Sequence, residues 1–458
     1  MKVAIVVHDG VGLKNFVFTD FTSVGQEAGY DLKIWNDTVF PVKESLGLAE
    51  LKMSKARSSI YTDIIKQARA KVELRSSYKR TRNEAYLSYD FPLRYNTLKR
   101  AIKSSLVQMF TMCSIDFLRK EMYKAERRST RYDECKKQLA GDPPKFIFFT
   151  NQRHIKSVSP VLAAQDLGIP TGTFIFSWDN LPKGMMVVET DYYFVWSEYM
   201  KRELLAYYPF ISEQQIRIVG TPQFTPHFSE HCFQSRDDFL RDHGLDPSME
   251  YICFSGDDVT TSPNDPKYLA DVADAVRDIN AKGVQQYGII FRKCPVDFSG
   301  RYETIIADNK DIVFSVDPVW SNTGSGWDSA MPSPQDMACL ANTVRHTKTV
   351  INLGSSMALD FACQGKTACY LNYDVEDPLD PEWRVDRIYK FIHFKSMDGR
   401  DPVYWVDSKD QIADTLLASI NDSENKIISA KAWLNRISQP PHHDANHRFW
   451  RTIRELVI

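Results

Sequence analysis

The stretch "VINLGSSMALDFACQGKTACYLN", Val350 to Asn372, reads as an apolar strand, a Gly-Ser-Ser turn, a short helix and a second apolar strand. Two continuous apolar strands joined through a helix belong to a parallel sheet covered on both faces. This unit therefore sets the fold class. The turn raises a further point. Gly354, Ser355 and Ser356 carry little side chain, and a helix start presents unpaired N–H groups with a positive dipole end. Such a start suits a phosphate, although two serines there also serve as ordinary helix caps.

The same pattern extends in both directions. "KVAIVV" at the N-terminus is a strand, "HDGVGLKN" a turn, "FVFTDFTSVGQEAG" helical and "YDLKIW" a second strand. Residues 45–137 lack strand patterning and read mainly as helices. After "GDPP" the alternation resumes with the strands "KFIFFT", "IPTGTFIFS", "DYYFVWS" and "QIRIVG", separated by helices. "TPQFTPHF" (Thr221–Phe228) reads as a proline-punctuated linker. A second series follows, with strands at "YICFSG", "YGIIFRKCP" and "DIVFSVDP". The helix "SPQDMACLANTVRHT" is capped at Ser333, and "WSNTGSGWDSAMPSP" reads as a loop. Two doubly wound α/β domains are expected, residues 1–225 and 226–438, with a terminal helical segment 439–458.

The 458 residues are 43% hydrophobic and 25% charged, as in ordinary globular domains. The apolar start of the chain is five residues long, too short for a signal-peptide core, and no run reaches the roughly 18 residues of a spanning helix. The eight cysteines form no Cys-x-x-Cys pair and read as reduced thiols of a cytoplasmic protein. The net charge of −2 conceals an asymmetry. Between Lys52 and Lys137 stand 22 Lys and Arg against 9 Asp and Glu, a net of +13, which leaves −15 for the rest. A basic region of this size points to an anionic partner or to a solvated helical surface. Within it, "SLVQMFTMCSIDFLRKEMYKAERR" spaces Leu106, Met109, Phe110, Cys113, Phe117 and Met122 as one amphipathic helix.

Ligands of open parallel sheets bind at the carboxyl ends of the strands. In the second series these ends carry "SGDD" (Ser255–Asp258), "RKCP" (Arg292–Pro295), "VDPVW" (Val316–Trp320) and "NLGSS" (Asn352–Ser356). Arg292 offers positive charge for a diphosphate. Asp360, four residues beyond Ser356 on the same helix face, suits the two hydroxyls of a ribose.

The order "FTNQRH … FSWDNLPKG … DYYFVWSEYMKRELLAYYP … IRIVGTPQF", then "IIFRKCPVD … LANTVRHTKTVINLGSSMALDFACQGK", resembles GT-B glycosyltransferases of bacterial surface-polysaccharide type. It is also similar to the CDP-glycerol glycerophosphotransferase branch of that fold. The resemblance covers roughly residues 1–35 and 146–375, and leaves the basic region unmatched. It implies two Rossmann-like domains facing a cleft and a last helix crossing back to the first domain; the residues themselves make 45–137 a helical basic insertion in that domain. It further implies a nucleotide-activated donor on the second domain. Gly354, Ser355 and Ser356 would meet the diphosphate, Asp360 the ribose, and Ser255 and Gly256 the phosphates. Arg292 would add charge, and the backbone of Val316–Pro318 would frame the base. The chain departs from the pattern at Cys294-Pro295, where relatives often have His-Pro, and at Gly365-Lys366-Thr367, where many have Gly-x-Pro.

No Asp-x-Asp metal clamp occurs, and "PHHDANH" (Pro441–His447) reads as a capped turn before a helix. No metal or other cofactor is expected; the leaving nucleotide would be held by amides and cations. For the acceptor, His8 and Asp9 directly follow the first strand and are the candidate base and its orienting carboxylate. His154 and Glu198 are the next candidates. The sequence thus supports a metal-independent transfer of sugar from a nucleotide-sugar to a surface glycan or glycolipid. The basic region 52–137 would hold an anionic or lipid-linked acceptor, or the inner membrane face. Alternatives in order are a CDP-polyol phosphotransferase, a nucleotide-sugar epimerase, and a DNA-modifying or nucleic-acid-binding protein. Nucleic acid ranks last because no helix-turn-helix, RNA-binding signature or zinc spacing is present.

Overall fold

The computed structural model describes residues 1–322, 330–421 and 424–457. They form two compact units, Met1–Thr221 with Asp444–Ile458, and Pro222–His443.

The first unit is built on seven strands: β1 (Lys2–Val7), β2 (Asp31–Asn36), β3 (Glu50–Lys52), β4 (Phe146–Phe149), β5 (Thr171–Phe174), β6 (Tyr192–Val195) and β7 (Ile216–Ile218). All pairings are parallel, in the order β3-β2-β1-β4-β5-β6-β7. Val3, Ile5, Val6 and Val7 of β1 and every residue of β4 are fully buried, which is why these strands read as continuous apolar runs. The last helix, Ala445–Val457, packs here. Its Trp450 indole donates to the Phe21 carbonyl at 2.7 Å, Tyr30 donates to the Trp450 carbonyl at 3.1 Å, and Phe449 stacks edge-on against Phe148. The second unit carries a six-stranded parallel sheet. Its strands are β8 (Glu250–Ser255), β9 (Tyr287–Arg292), β10 (Val313–Ser315), β13 (Val350–Asn352), β14 (Ala368–Leu371) and β15 (Tyr404–Val406), ordered β10-β9-β8-β13-β14-β15. Between β10 and β13, a hairpin pairs β11 (Trp320–Asn322) with β12 (Ala330–Pro332).

Both sheets are doubly wound α/β, and each reverses strand order once, between β1 and β4 and between β8 and β13. A reversal of this kind opens a crevice at the carboxyl ends of the two strands. His8 follows β1, and the Gly-Ser-Ser turn follows β13.

Several local expectations are corrected. "HDGVGLKN" is not a turn, because Asp9 caps a helix over Gly10–Phe16. Residues 45–137, read as lacking strands, are mainly helical but do contain one, because Glu50–Lys52 joins the sheet beside β2. The amphipathic stretch is two helices, Leu98–Phe110 and Ile115–Glu126, broken where the Ser114 side chain caps the second. Met109 and Phe117 are consequently exposed while Met122 is buried. "TPQFTPHF" is no free linker. From Pro222 it winds into 3-10 turns that bury Phe224, Pro226 and His227. The loop expected at 320–334 contains the β11–β12 hairpin, and its residues 323–329 lie outside the described residues. Ser333 does not cap the Gln335–His346 helix through its side chain. None of the cysteines is in a disulfide. Among the described residues, no helix is long and apolar enough to cross a membrane.

Candidate active site

In the first unit, His8 is buried at the carboxyl end of β1. Its Nδ1 lies 3.0 Å from Asp37 Oδ2, at the end of the neighbouring strand β2. A carboxylate at that nitrogen fixes the Nδ1–H tautomer and leaves Nε2 as the basic atom. Nε2 is buried and, among the described residues, has no hydrogen-bond partner. Burial lowers the imidazole's proton affinity more than Asp37 raises it, so the ring is neutral near pH 7. Asp37 also faces Lys156 Nζ at 3.0 Å and Arg131 Nη2 at 3.7 Å. Burial alone would raise its carboxyl, but His8 and Lys156 outweigh that and hold it far below the usual carboxylate range. His154 stacks on His8 with ring centroids 4.5 Å apart and is also kept neutral, chiefly by burial.

Asp9 stands elsewhere. One oxygen accepts from Gly12 N at 2.8 Å and the other from Asn151 Nδ2 at 2.6 Å, so both are used in capping the Gly10–Phe16 helix and tying it to β4. The carboxylate that orients His8 is Asp37, which the sequence reading did not select. Its signal was positional: β2 neighbours β1 in a parallel sheet, so the residues after both strands share an edge. Glu198 begins the helix Glu198–Tyr207 on the surface and faces only Lys201, at 3.9 Å.

In the second unit, Ser255, Gly256, Arg292 and the Gly354–Ser356 turn lie at the carboxyl edge of one sheet. The glycines are small for internal reasons. Gly354 has φ +72°, and a Cβ there would sit 2.8 Å from Ile388 and 2.9 Å from Phe394. A Cβ on Gly256 would meet the Tyr302 hydroxyl at 2.8 Å. Open space for a ligand is therefore not what their size provides. What the turn does offer is amides. Ser355 N donates to Asn352 Oδ1 at 2.9 Å, whereas among the described residues none accepts from the amides of Gly354 and Ser356. The side chain of Ser356, at the cap position of the Met357–Cys363 helix, makes no cap bond, and both serines are half-buried.

Arg292 is buried with its charge engaged. Nη2 meets Asp336 Oδ1 at 2.7 Å and Nη1 reaches the Val316 carbonyl at 3.4 Å. Asp336 also accepts from Val319 N at 2.9 Å and Trp320 Nε1 at 2.7 Å. The expected phosphate cation is thus the inner half of an ion pair that shapes the loop after β10, and offers no uncompensated charge. Asp360 is likewise engaged. It is buried, with Oδ1 2.9 Å from His227 Nε2, and anchors the Pro222–Phe228 segment to the Met357–Cys363 helix. Beside Gly256, burial and the neighbouring Asp265 push the Asp257 carboxyl well above the usual range. In "PHHDANH", His442 bonds Asn435 and Asp444 pairs with Arg451. Among the described residues, no group of three or more His, Cys, Asp or Glu is placed to hold a metal ion.

No family model and no curated protein matches the sequence. Solved structures do match over the whole length. The UDP-GlcNAc 2-epimerase of Methanocaldococcus jannaschii is 12% identical, with a TM-score of 0.54 and coverage of 99% of this chain and 100% of that one. The Neisseria meningitidis UDP-GlcNAc 2-epimerase bound to UDP-GlcNAc is 10% identical, with a TM-score of 0.54 and the same coverage. S. aureus MnaA, solved with UDP, is 10% identical, with a TM-score of 0.52 and coverage of 100% and 96%. At such identities the likeness is one of fold, and it places the chain among proteins of two Rossmann-like domains, the GT-B architecture.

Proposed function

We propose that the chain is a GT-B glycosyltransferase that takes its sugar from a nucleotide-sugar. The second unit would hold the donor diphosphate at the Gly354–Ser356 turn, through the two unpaired amides and the serine hydroxyls. Ser255 and Gly256 would border it, and no metal is invoked. His8 would act on the acceptor, a surface glycan or lipid-linked glycan. Its Nε2 removes the proton of the acceptor hydroxyl as that oxygen attacks the anomeric carbon. The bond from that carbon to the diphosphate oxygen breaks, and the nucleoside diphosphate leaves with the electron pair. Asp37 keeps the imidazole in the required tautomer and stabilises the imidazolium that forms. The observation that carries this reading is the His8–Asp37 pair with a free Nε2, at the strand-order reversal of its sheet.

A second reading, nucleotide-sugar epimerisation, is favoured by the names of the fold neighbours, which are UDP-GlcNAc 2-epimerases. One assay separates the two. The protein is incubated with UDP-, dTDP-, GDP- and CDP-activated sugars and with CDP-glycerol, with and without a lipid-linked glycan extract, and nucleotide release and sugar configuration are followed. Transfer predicts acceptor-dependent release that is lost in His8→Ala while nucleotide binding persists. Inversion at a sugar carbon without acceptor would establish the epimerase, and release from CDP-glycerol alone would establish the polyol-phosphate branch.

A further inference from the structure

The basic helical region is less of a bare charge surface than its composition suggests. Arg119 pairs bidentately with Glu189, Arg69 with Glu73 and Glu189, and Arg127 with Asp166. Lys71 pairs with Asp90. One segment is different. From Phe91 to Ile115 the chain has no Asp or Glu and four cations, Arg94, Lys99, Arg100 and Lys103. Among the described residues, only Lys103 of these is paired with a carboxylate, that of Asp63. In the same segment Phe91, Tyr95, Leu98, Ile102, Met109 and Met112 are each 49–84% exposed.

The helix Leu98–Phe110 explains how this arises. Val107, with Leu106 and Phe110 beside it, packs against Ile64, Ile65 and Ala68. Leu98, Ile102, Ser105 and Met109 recur at helical spacing along another line, which faces solvent. The helix therefore has one apolar face in the core and a second with nothing over it. A solvated helix would be polar along that line. A protein partner that recognises charge alone, or a nucleic acid, would leave the apolar stripe wet. A bilayer carrying anionic headgroups satisfies both features, since acyl chains take up the stripe while phosphates meet the flanking cations.

We propose that the Phe91–Met112 segment, led by the exposed Leu98–Ile102–Met109 stripe and by Arg94, Lys99 and Arg100, docks this protein on an anionic phospholipid surface with the helix lying in the plane of the interface. This assignment is independent of the reaction proposed above. Attachment is by shallow insertion plus charge, so salt weakens it without abolishing it. Each of the three cations without a carboxylate partner contributes about fivefold to binding near an anionic surface.

The test is co-sedimentation of the full-length protein with phosphatidylcholine vesicles containing 0% or about 30% phosphatidylglycerol, over a range of NaCl. The proposal predicts binding that requires phosphatidylglycerol. It falls at least tenfold in Leu98→Gln/Ile102→Gln/Met109→Gln, and by about 10²-fold in Arg94→Gln/Lys99→Gln/Arg100→Gln. All six side chains are exposed, so circular dichroism and thermal melting should be unchanged in both variants. Wild-type protein that ignores phosphatidylglycerol would overturn the proposal. So would an apolar variant that binds as well as wild type. A concentration-dependent dimer dispersed by the apolar variant would assign the stripe to a second copy of the chain, and would equally overturn it.

Discussion

Asp37→Asn is the most informative single change in the first unit. The carboxylate lies 3.0 Å from His8 Nδ1, 3.0 Å from Lys156 Nζ and 3.7 Å from Arg131 Nη2, with 9% of its side chain exposed. A hydrogen bond involving a charged group contributes about 1.5–3 kcal/mol. The substitution keeps the shape, removes the charge and leaves two cations without their counter-ion, so a loss of about 2–3 kcal/mol is expected at pH 7. The sign with pH follows from linkage. The carboxyl is depressed in the folded protein, so its contribution is fully present above the unfolded value near 4 and is lost as pH falls toward the folded one. Urea unfolding of wild type and Asp37→Asn at pH 7 and at pH 3.5 reads this directly. The gap between them should be largest at pH 7 and should narrow at the acid end. Transfer should fall about 10²-fold or more while nucleotide affinity is retained, because the amide no longer stabilises the imidazolium. A gap that is the same at both pH values, or full transfer by the variant, would refute the reasoning. Asp9→Asn is the control: it weakens a helix cap by about 1 kcal/mol and should leave the pH dependence of transfer in place.

Two further predictions concern the scaffold. A Cβ on Gly25 would stand 2.6 Å from the Trp450 indole, so Gly25→Ala should cost about 1–3 kcal/mol by overpacking, less the roughly 1 kcal/mol that alanine recovers as a helix former. Adding Trp450→Phe should make the pair less destabilised than the sum of the single changes, which thermal melts will show. Glu126 is fully buried and accepts from Ser59 N at 3.1 Å, Thr62 Oγ1 at 2.6 Å, Ser129 Oγ at 3.2 Å and Ser159 Oγ. Glu126→Ala should cost about 3 kcal/mol or more and loosen the helical region first, read as faster hydrogen exchange in Ile60–Thr81.

Much of the fold was legible because buried parallel strands have to be apolar on both faces. "KVAIVV", "KFIFFT" and "VINL" admit few other readings, and the two sheets follow from their alternation with helices. What the sequence concealed lies in contacts between distant residues. Nothing local marks Asp37 as the partner of His8, or Asp336 as the partner that takes up the charge of Arg292. Asp360 looked free because His227, which holds it, stands 133 positions away in a segment that resembled a linker. The break at Ser114 has a local signal, since a serine cap with an acid in the following turn favours a helix start even inside an apolar periodicity. The Gly-Ser-Ser turn was read correctly as a helix start, but the reason for its glycine was misjudged. Ile388 and Phe394 occupy the space into which a side chain at Gly354 would project.

The central claim is that this turn holds a nucleoside diphosphate through its unpaired amides. Isothermal titration of the full-length protein with UDP, dTDP, GDP, CDP and ADP tests it, alongside Ser356→Asp. Saturable binding of one of these nucleotides to wild type is expected. That binding should be lost in Ser356→Asp, whose carboxylate repels the phosphates at the helix start, with an unchanged thermal melt in the absence of nucleotide. Binding of equal strength by the variant, or no binding of any nucleotide by the folded wild-type protein, would contradict the claim.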